Sequence, residues 1–237
     1  INHRVVNHIL RTYAHVGTRQ GVLVAFLKAI DTCLDLEAEV TPSVRDQFHE
    51  QYEIAKTAAK ERSIQNQLTE KVERFDSIVA KIEAHFPPLS DEVILVKMYD
   101  EVALRKDFDD LLLVVGDPKE SVPRWINLKT GELVIKDFNK TSKRYGELRH
   151  ILSPRVLDLI RQVSPTRKYL FTLKTETLFK KMQSVVPKIG SQLLRKSKVS
   201  TATEGNKILD PKIRHELWNQ MKHSPETQLT YRREIEE

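Results

Sequence analysis

From Gly21 onward the apolar positions Val22, Leu23, Phe26, Leu27, Ile30 and Leu34 recur every three to four residues, which gathers them on one face of an α-helix. Thr41-Pro42 then opens a longer, more polar segment that runs through Tyr52 and Ile54 to about Arg62. Residues 1–65 therefore read as a helical module with almost no strand pattern. A further helix is expected from Gln65 to His85, with Leu68, Val72, Phe75, Ile78, Val79 and Ile82 on one face and Phe86-Pro87-Pro88 closing it. The domain change is placed near residue 65, giving units 1–65 and 66–237, with residue 88 as its latest position.

Ser90 supplies an N-cap for a helix carrying Val93, Ile94, Val96, Met98 and Tyr99 to about Leu104. There the period changes from helical to alternating. Leu111 to Val115, Arg124 to Leu128, Glu132 to Phe138 and Glu147 to Leu152 read as strands, with Lys129-Thr130-Gly131 as a turn between the second and third. A basic loop, Asn139-Lys140-Thr141-Ser142-Lys143-Arg144-Tyr145-Gly146, precedes the fourth. After the strands come helices opened at Ser153-Pro154, at Thr175 and at Asp210-Pro211, while Ser197 to Lys207 reads as an irregular loop. The fold class is mainly α with a small antiparallel β-sheet, that is, α+β.

Composition narrows the function. The 237 residues carry a net charge of +6, and Lys and Arg are densest in the second half, which suits an acidic partner such as nucleic acid. Cys33 is the single cysteine, so no disulfide forms within the chain and an intracellular, reducing setting fits. No apolar stretch approaches the roughly 20 residues that span a bilayer, so no membrane role is expected. The chain opens on Ile1 and reads as part of something longer.

One set of residues has more to say together than singly. Arg105 follows the helix ending Tyr99-Asp100-Glu101-Val102-Ala103-Leu104, and Lys140 stands in the basic loop between strands. Arg195 lies in Ile189-Gly190-Ser191-Gln192-Leu193-Leu194-Arg195. His223 enters a helix at Ser224-Pro225, and Tyr231 follows about two turns later. Taken singly, Arg105 is an ion-pair partner for Asp107 or Asp109, the lysines are surface charges, and His223 is a helix-entry residue. As an ordered set they resemble the tyrosine recombinase (integrase) family. Asn139 to Gly146 and Met221-Lys222-His223-Ser224 look most similar to the divergent recombinases of large eukaryotic DNA viruses, virophages and related mobile elements.

The resemblance covers Ser90 to Tyr231 and implies a recombinase catalytic fold, preceded by a helical domain similar to the core-binding domain that clamps duplex DNA. It implies cleavage and rejoining of DNA through a 3′-phosphotyrosyl bond, with Tyr231 as nucleophile and without metal or nucleotide cofactor. Arg105 and Arg195 would hold the non-bridging phosphate oxygens through fork-shaped, charge-assisted hydrogen bonds. Lys140, with Lys143 as the second candidate, would protonate the leaving 5′ oxygen, and His223 would contact phosphate or help deprotonate the tyrosine. Asp107 would anchor an arginine, and Lys143 and Arg144 would bind the DNA backbone.

Two departures matter. Gln192 occupies a position where the family often has histidine, and its amide can contact phosphate but not act as a base. The His223 to Tyr231 interval is also about one residue short of the family's. The implied assembly is a homo-tetramer on DNA, in a nucleus or a viral factory. Alternative readings are a telomere resolvase, a tyrosine-type topoisomerase, or a catalytically inactive DNA-binding module on the same scaffold.

Overall fold

A computed structural model describes residues 2–33, 40–104, 108–116, 118, 121–136, 146–204, 211–221 and 231–235, without the side chains of 67, 68, 213, 214, 216, 218 and 219. The chain divides into two compact units, Ile1–Thr69 and Glu70–Glu237.

The first unit is three helices: α1 (His3–Thr12), α2 (Val16–Thr32) and α3 (Pro42–Thr69). Asn2 caps α1 by accepting from the Arg4 amide, and Arg19 reaches back to the carbonyls of Leu10 and Tyr13 at its other end. Val6 and Ile9 of α1 meet Leu23, Leu27 and Ile30 of α2 and Val44, Phe48 and Ala55 of α3 in one apolar core. Phe26 and Phe48 stack at 5.8 Å between ring centroids.

The second unit begins with β1 (Lys71–Val72), followed by α4 (Phe75–His85) and α5 (Asp91–Glu101). The single helix expected from Gln65 to His85 is therefore two helices with a strand between them. The cause is remote: Lys71 and Val72 pair in parallel with Glu234 and Ile235, which form β6. No local pattern announces such a partner. Ser90 caps α5 as expected, accepting from the Val93 amide, but the helix stops at Glu101, and buried Val102, Ala103 and Leu104 continue outside it.

Four strands follow: β2 (Leu112–Val114), β3 (Arg124–Asn127), β4 (Glu132–Ile135) and β5 (Leu148–Ile151), in that spatial order. The last three are joined by two successive antiparallel hairpins. The β2–β3 pair, however, is parallel, so the sheet is mixed rather than wholly antiparallel. The other edge of β2 is also used: Leu113 donates to Lys168 O at 3.0 Å and Leu170 to Leu111 O at 2.8 Å. Gly131 turns the first hairpin at φ +76°, where a Cβ would stand 3.0 Å from Leu157 Cδ2.

The remaining helices are α6 (Pro154–Val163), α7 (Thr175–Met182), α8 (Ser191–Ala202) and α9 (Pro211–Met221). Ser153 caps α6, but Lys174 rather than Thr175 precedes α7, whose Thr175 amide donates instead to the Asp109 carboxylate at 2.7 Å. Asp210, the expected cap of α9, lies outside the described residues. The irregular loop expected from Ser197 is helical to Ala202, because its small polar side chains bond to distant backbone: Ser197 Oγ donates to Glu73 O, and Thr201 Oγ1 accepts from the Phe75 amide at 2.9 Å.

One face of the sheet, with Ile126, Leu133, Ile135 and Leu148, joins the same apolar core as α5. That helix is buried from Asp91 through Tyr99, charged residues included. Asp91 accepts from Arg167 and from the amide and hydroxyl of Thr172 at 2.8 and 2.6 Å. Lys97 pairs with Glu83 at 2.6 Å and Glu92 with Lys181 at 3.3 Å. Removing one member of a buried ion pair strands the other charge in low dielectric. Asp91→Ala should thus destabilise the second unit by about 3 kcal/mol. Urea unfolding followed by tryptophan fluorescence reads this unit alone, since Trp125 and Trp218 are the only tryptophans. An unchanged midpoint would show that the Asp91 network is dispensable.

Candidate active site

Arg195 is carried on the second turn of α8, where it is 1% exposed. Tyr231, 36 positions later, is 6% exposed, and the Arg195 guanidinium carbon lies 4.5 Å from the centre of its ring. A desolvated cation over an aromatic face is held by the ring quadrupole. The structure thus brings together two of the five residues singled out as catalytic. Gln192, one turn before Arg195, is exposed. Arg105, Asp107, Lys140, Lys143, Arg144 and His223 lie outside the described residues.

The polypeptide on either side of this contact is fixed by residues that the sequence pattern did not single out. Arg233 Nε donates to Glu70 Oε2 at 2.8 Å, and its backbone amide donates to Ser200 Oγ at 2.7 Å. Lys196, the neighbour of Arg195, donates to both Glu70 oxygens at 2.6 and 2.7 Å. Glu70 therefore joins α8 to the segment after Tyr231 and immediately precedes β1, which pairs with β6. The pair Arg232-Arg233 beside Tyr231 was the available signal. Its acceptor could not be guessed from a separation of 163 positions.

Partial burial pushes the Glu70 carboxyl up, but hydrogen bonds from Lys196 and Arg233, with their charges, outweigh it and hold the group below the ordinary glutamate value. At the end of α5, burial likewise raises Glu101 while bonds from His150 and Ser153 overcome it, so this carboxyl too is lowered. Glu101 Oε2 meets His150 Nε2 of β5 at 3.0 Å and the Ser153 amide at 3.3 Å.

Lys198 of α8 donates to the carbonyls of Tyr99 (3.2 Å) and Asp100 in the last turn of α5. A cation there complements the negative end of the helix dipole. Lys198 stands one turn beyond Arg195, so α8 carries both the arginine and a clamp on the segment leading to Arg105. Chemically, the site offers a fixed guanidinium able to hold a phosphate oxygen and, against it, a phenol able to attack phosphorus. Among the described residues, no three His, Cys, Asp or Glu side chains come together to hold a metal ion, and no helix is long and apolar enough to cross a membrane.

No protein-family model and no curated protein matches the chain. Among solved structures it is similar to a crystal structure of XerA recombinase, at 13% identity and a TM-score of 0.45 over 96% of this chain and 91% of that one. It is also similar to the integrase of the transposon Tn1549 in complex with a circular intermediate DNA, at 12% identity and a TM-score of 0.46 over 98% and 90%. Both are tyrosine recombinases. At this distance no residue of the present chain takes its role from them.

A group whose pKa is depressed by folding contributes stability above its unfolded pKa, and that contribution is lost as pH falls through the folded value. The Glu70 bridge should therefore hold residues 231–235 at neutral pH and release them on acidification. Hydrogen exchange corrected for intrinsic rates should show protection of this segment at about pH 7 and its loss once the pH falls below the ordinary glutamate range. Glu70→Gln should exchange rapidly at both. Equal protection in the variant and the parent at neutral pH would rule out the bridge.

Proposed function

We propose that this protein is a site-specific DNA recombinase or integrase that cuts and rejoins duplex DNA through a 3′-phosphotyrosyl intermediate. The observation that supports it best is the 4.5 Å contact between Arg195 and Tyr231. The resemblance to tyrosine recombinases implies the roles of phosphate holder and nucleophile for these two residues. In this reading the Tyr231 hydroxyl loses its proton and attacks phosphorus, the bond to the 5′ oxygen breaks, and that oxygen leaves with a proton. Attack by a free 5′ hydroxyl on the phosphotyrosine reverses the step and restores the phenol. The bond exchange is balanced without oxidant, reductant or nucleotide.

Arg195 is assigned to the non-bridging oxygens together with Arg105, and Gln192 to an auxiliary contact. Lys140, or Lys143, is assigned to the leaving oxygen, His223 to proton transfer, and Asp107 to holding an arginine. Lys143 and Arg144 are given the DNA backbone, and residues 1–69 the role of a DNA-binding unit. Assembly as a homo-tetramer on DNA and a mobile-element or viral setting belong to the same reading. Arg195 and Tyr231 are both buried in the free protein. That burial also favours a second reading, a DNA-binding module that performs no cleavage.

A pool of labelled duplexes, randomised around a single nick, separates the two. The nick lets the cleaved fragment diffuse away and traps the covalent complex. The recombinase reading expects a protein–DNA adduct without added metal. Tyr231→Phe should abolish it, and Arg195→Lys should slow it by roughly 10²-fold or more while the protein remains folded. Binding without adduct from the intact protein would leave only the module.

A further inference from the structure

Helix α5 ends in Glu101-Val102-Ala103-Leu104, without the glycine that closes many helices. Its C-cap, Val102, is extended, and the Val102 amide donates to Met98 O at 2.9 Å. The next two carbonyls, those of Tyr99 and Asp100, have no helical donor ahead of them. Lys198 of α8 takes that place, donating to Tyr99 O at 3.2 Å and also to Asp100 O, with Asp100 Oδ1 at 3.8 Å. The Lys198 side chain is 11% exposed, and its ammonium stands 5.8 Å from the centre of the Phe75 ring on α4. A lysine so covered holds protein rather than a ligand arriving from solvent.

The chain beyond Asp100 has little slack. Glu101 Oε2 is tied to His150 and to the Ser153 amide. Val102, Ala103 and Leu104 are each 2% exposed or less, and the Leu104 amide donates back to Val102 O at 3.0 Å. Arg105 is the next residue in the sequence. On the other side of the contact, Lys198 follows Arg195 by three positions and shares its face of α8. A single helix thus presents Arg195 and grips the turn that leads to Arg105.

We infer that Lys198 is a positioning residue: by binding the last carbonyls of α5 it holds the segment that delivers Arg105 in register with Arg195. The inference rests on the recombinase reading and adds to it a residue outside the ordered set of candidates. Two guanidiniums share the oxygens of one phosphate only when their spacing matches it, and a misplacement of about 1 Å costs on the order of 10²-fold in rate. In this role Lys198 contacts neither DNA nor the reacting atoms. Its loss should therefore slow the chemical step and leave DNA binding alone.

The test uses the full chain and a nicked duplex recovered as adduct from the randomised pool. At saturating duplex, Lys198→Met should lower the first-order rate of adduct formation by roughly 10- to 100-fold, with affinity within about threefold of the parent. Lys198→Arg, which keeps a cationic donor, should recover most of the rate. In an Arg195→Lys background, Lys198→Met should cost less than about threefold more, because the register it disturbs is already lost. A purely structural lysine would slow both backgrounds by the same factor. Equal loss in the two backgrounds overturns the inference, as does a loss confined to affinity or no recovery with Lys198→Arg. Should Lys198→Met fail to fold, Lys198→Gln, whose amide still donates, takes its place.

Hydrogen exchange without DNA reads the clamp itself. The Val102 and Leu104 amides should exchange faster in Lys198→Met, while those of Ile94 and Leu95 keep the parent's protection. Unchanged exchange at Val102 and Leu104 overturns the inference whatever the activity. Adduct from the parent, undiminished in Lys198→Met, rejects the positioning role and keeps the recombinase. No adduct from the parent rejects both.

Discussion

A helix buried on every side must provide a partner for each polar group it carries, and this constraint organises the second unit around α5. Asp91, Glu92 and Lys97 would each cost several kcal/mol if buried unpaired. Their partners come from different elements: Arg167 and Thr172 beyond α6, Lys181 on α7, and Glu83 on α4. The charges thus act as registration points that tell the surrounding helices where to sit. Apolar contacts such as the edge-on Tyr99 and Phe108 rings at 5.2 Å fill the space between them.

The same helix ends where the chemistry is expected to begin. Lys198 holds the carbonyls of its last turn, and Glu101 links that turn to His150 and Ser153. Since α8 bears both Lys198 and Arg195, a shift of α8 would disturb Arg195 and the end of α5 together. Glu70 adds a second tie through Lys196 and Arg233, so the covered Tyr231 is anchored by ionic contacts rather than by ring packing alone.

Much of this was legible in the sequence, for identifiable reasons. The Ser90 and Ser153 caps, the Lys129-Thr130-Gly131 turn and the helical periodicity of the first unit are local features, and each stands where local chemistry requires it. The errors share one cause, namely partners distant along the chain. Lys71–Val72 leaves helical geometry because of Glu234–Ile235, and α8 continues past Ser197 because serine and threonine hydroxyls bond to residues 73 and 75. At the parallel start of the sheet, the other edge of β2 is taken by the segment at 168–170. At the site, residue types and order picked out Arg195 and Tyr231, but Glu70 carries no motif and emerges only in three dimensions.

The pairing of β1 with β6 has a consequence for how the second unit acquires its shape. It joins positions more than 160 residues apart, and closing a loop of that length costs about 4.5 kcal/mol in chain entropy beyond a length-independent constant. A two-residue ladder does not offset that alone, so the Glu70 ion pairs and the burial of Tyr231 must form with it in one concerted step. The neighbourhood of Tyr231 is thus the most non-local part of the unit.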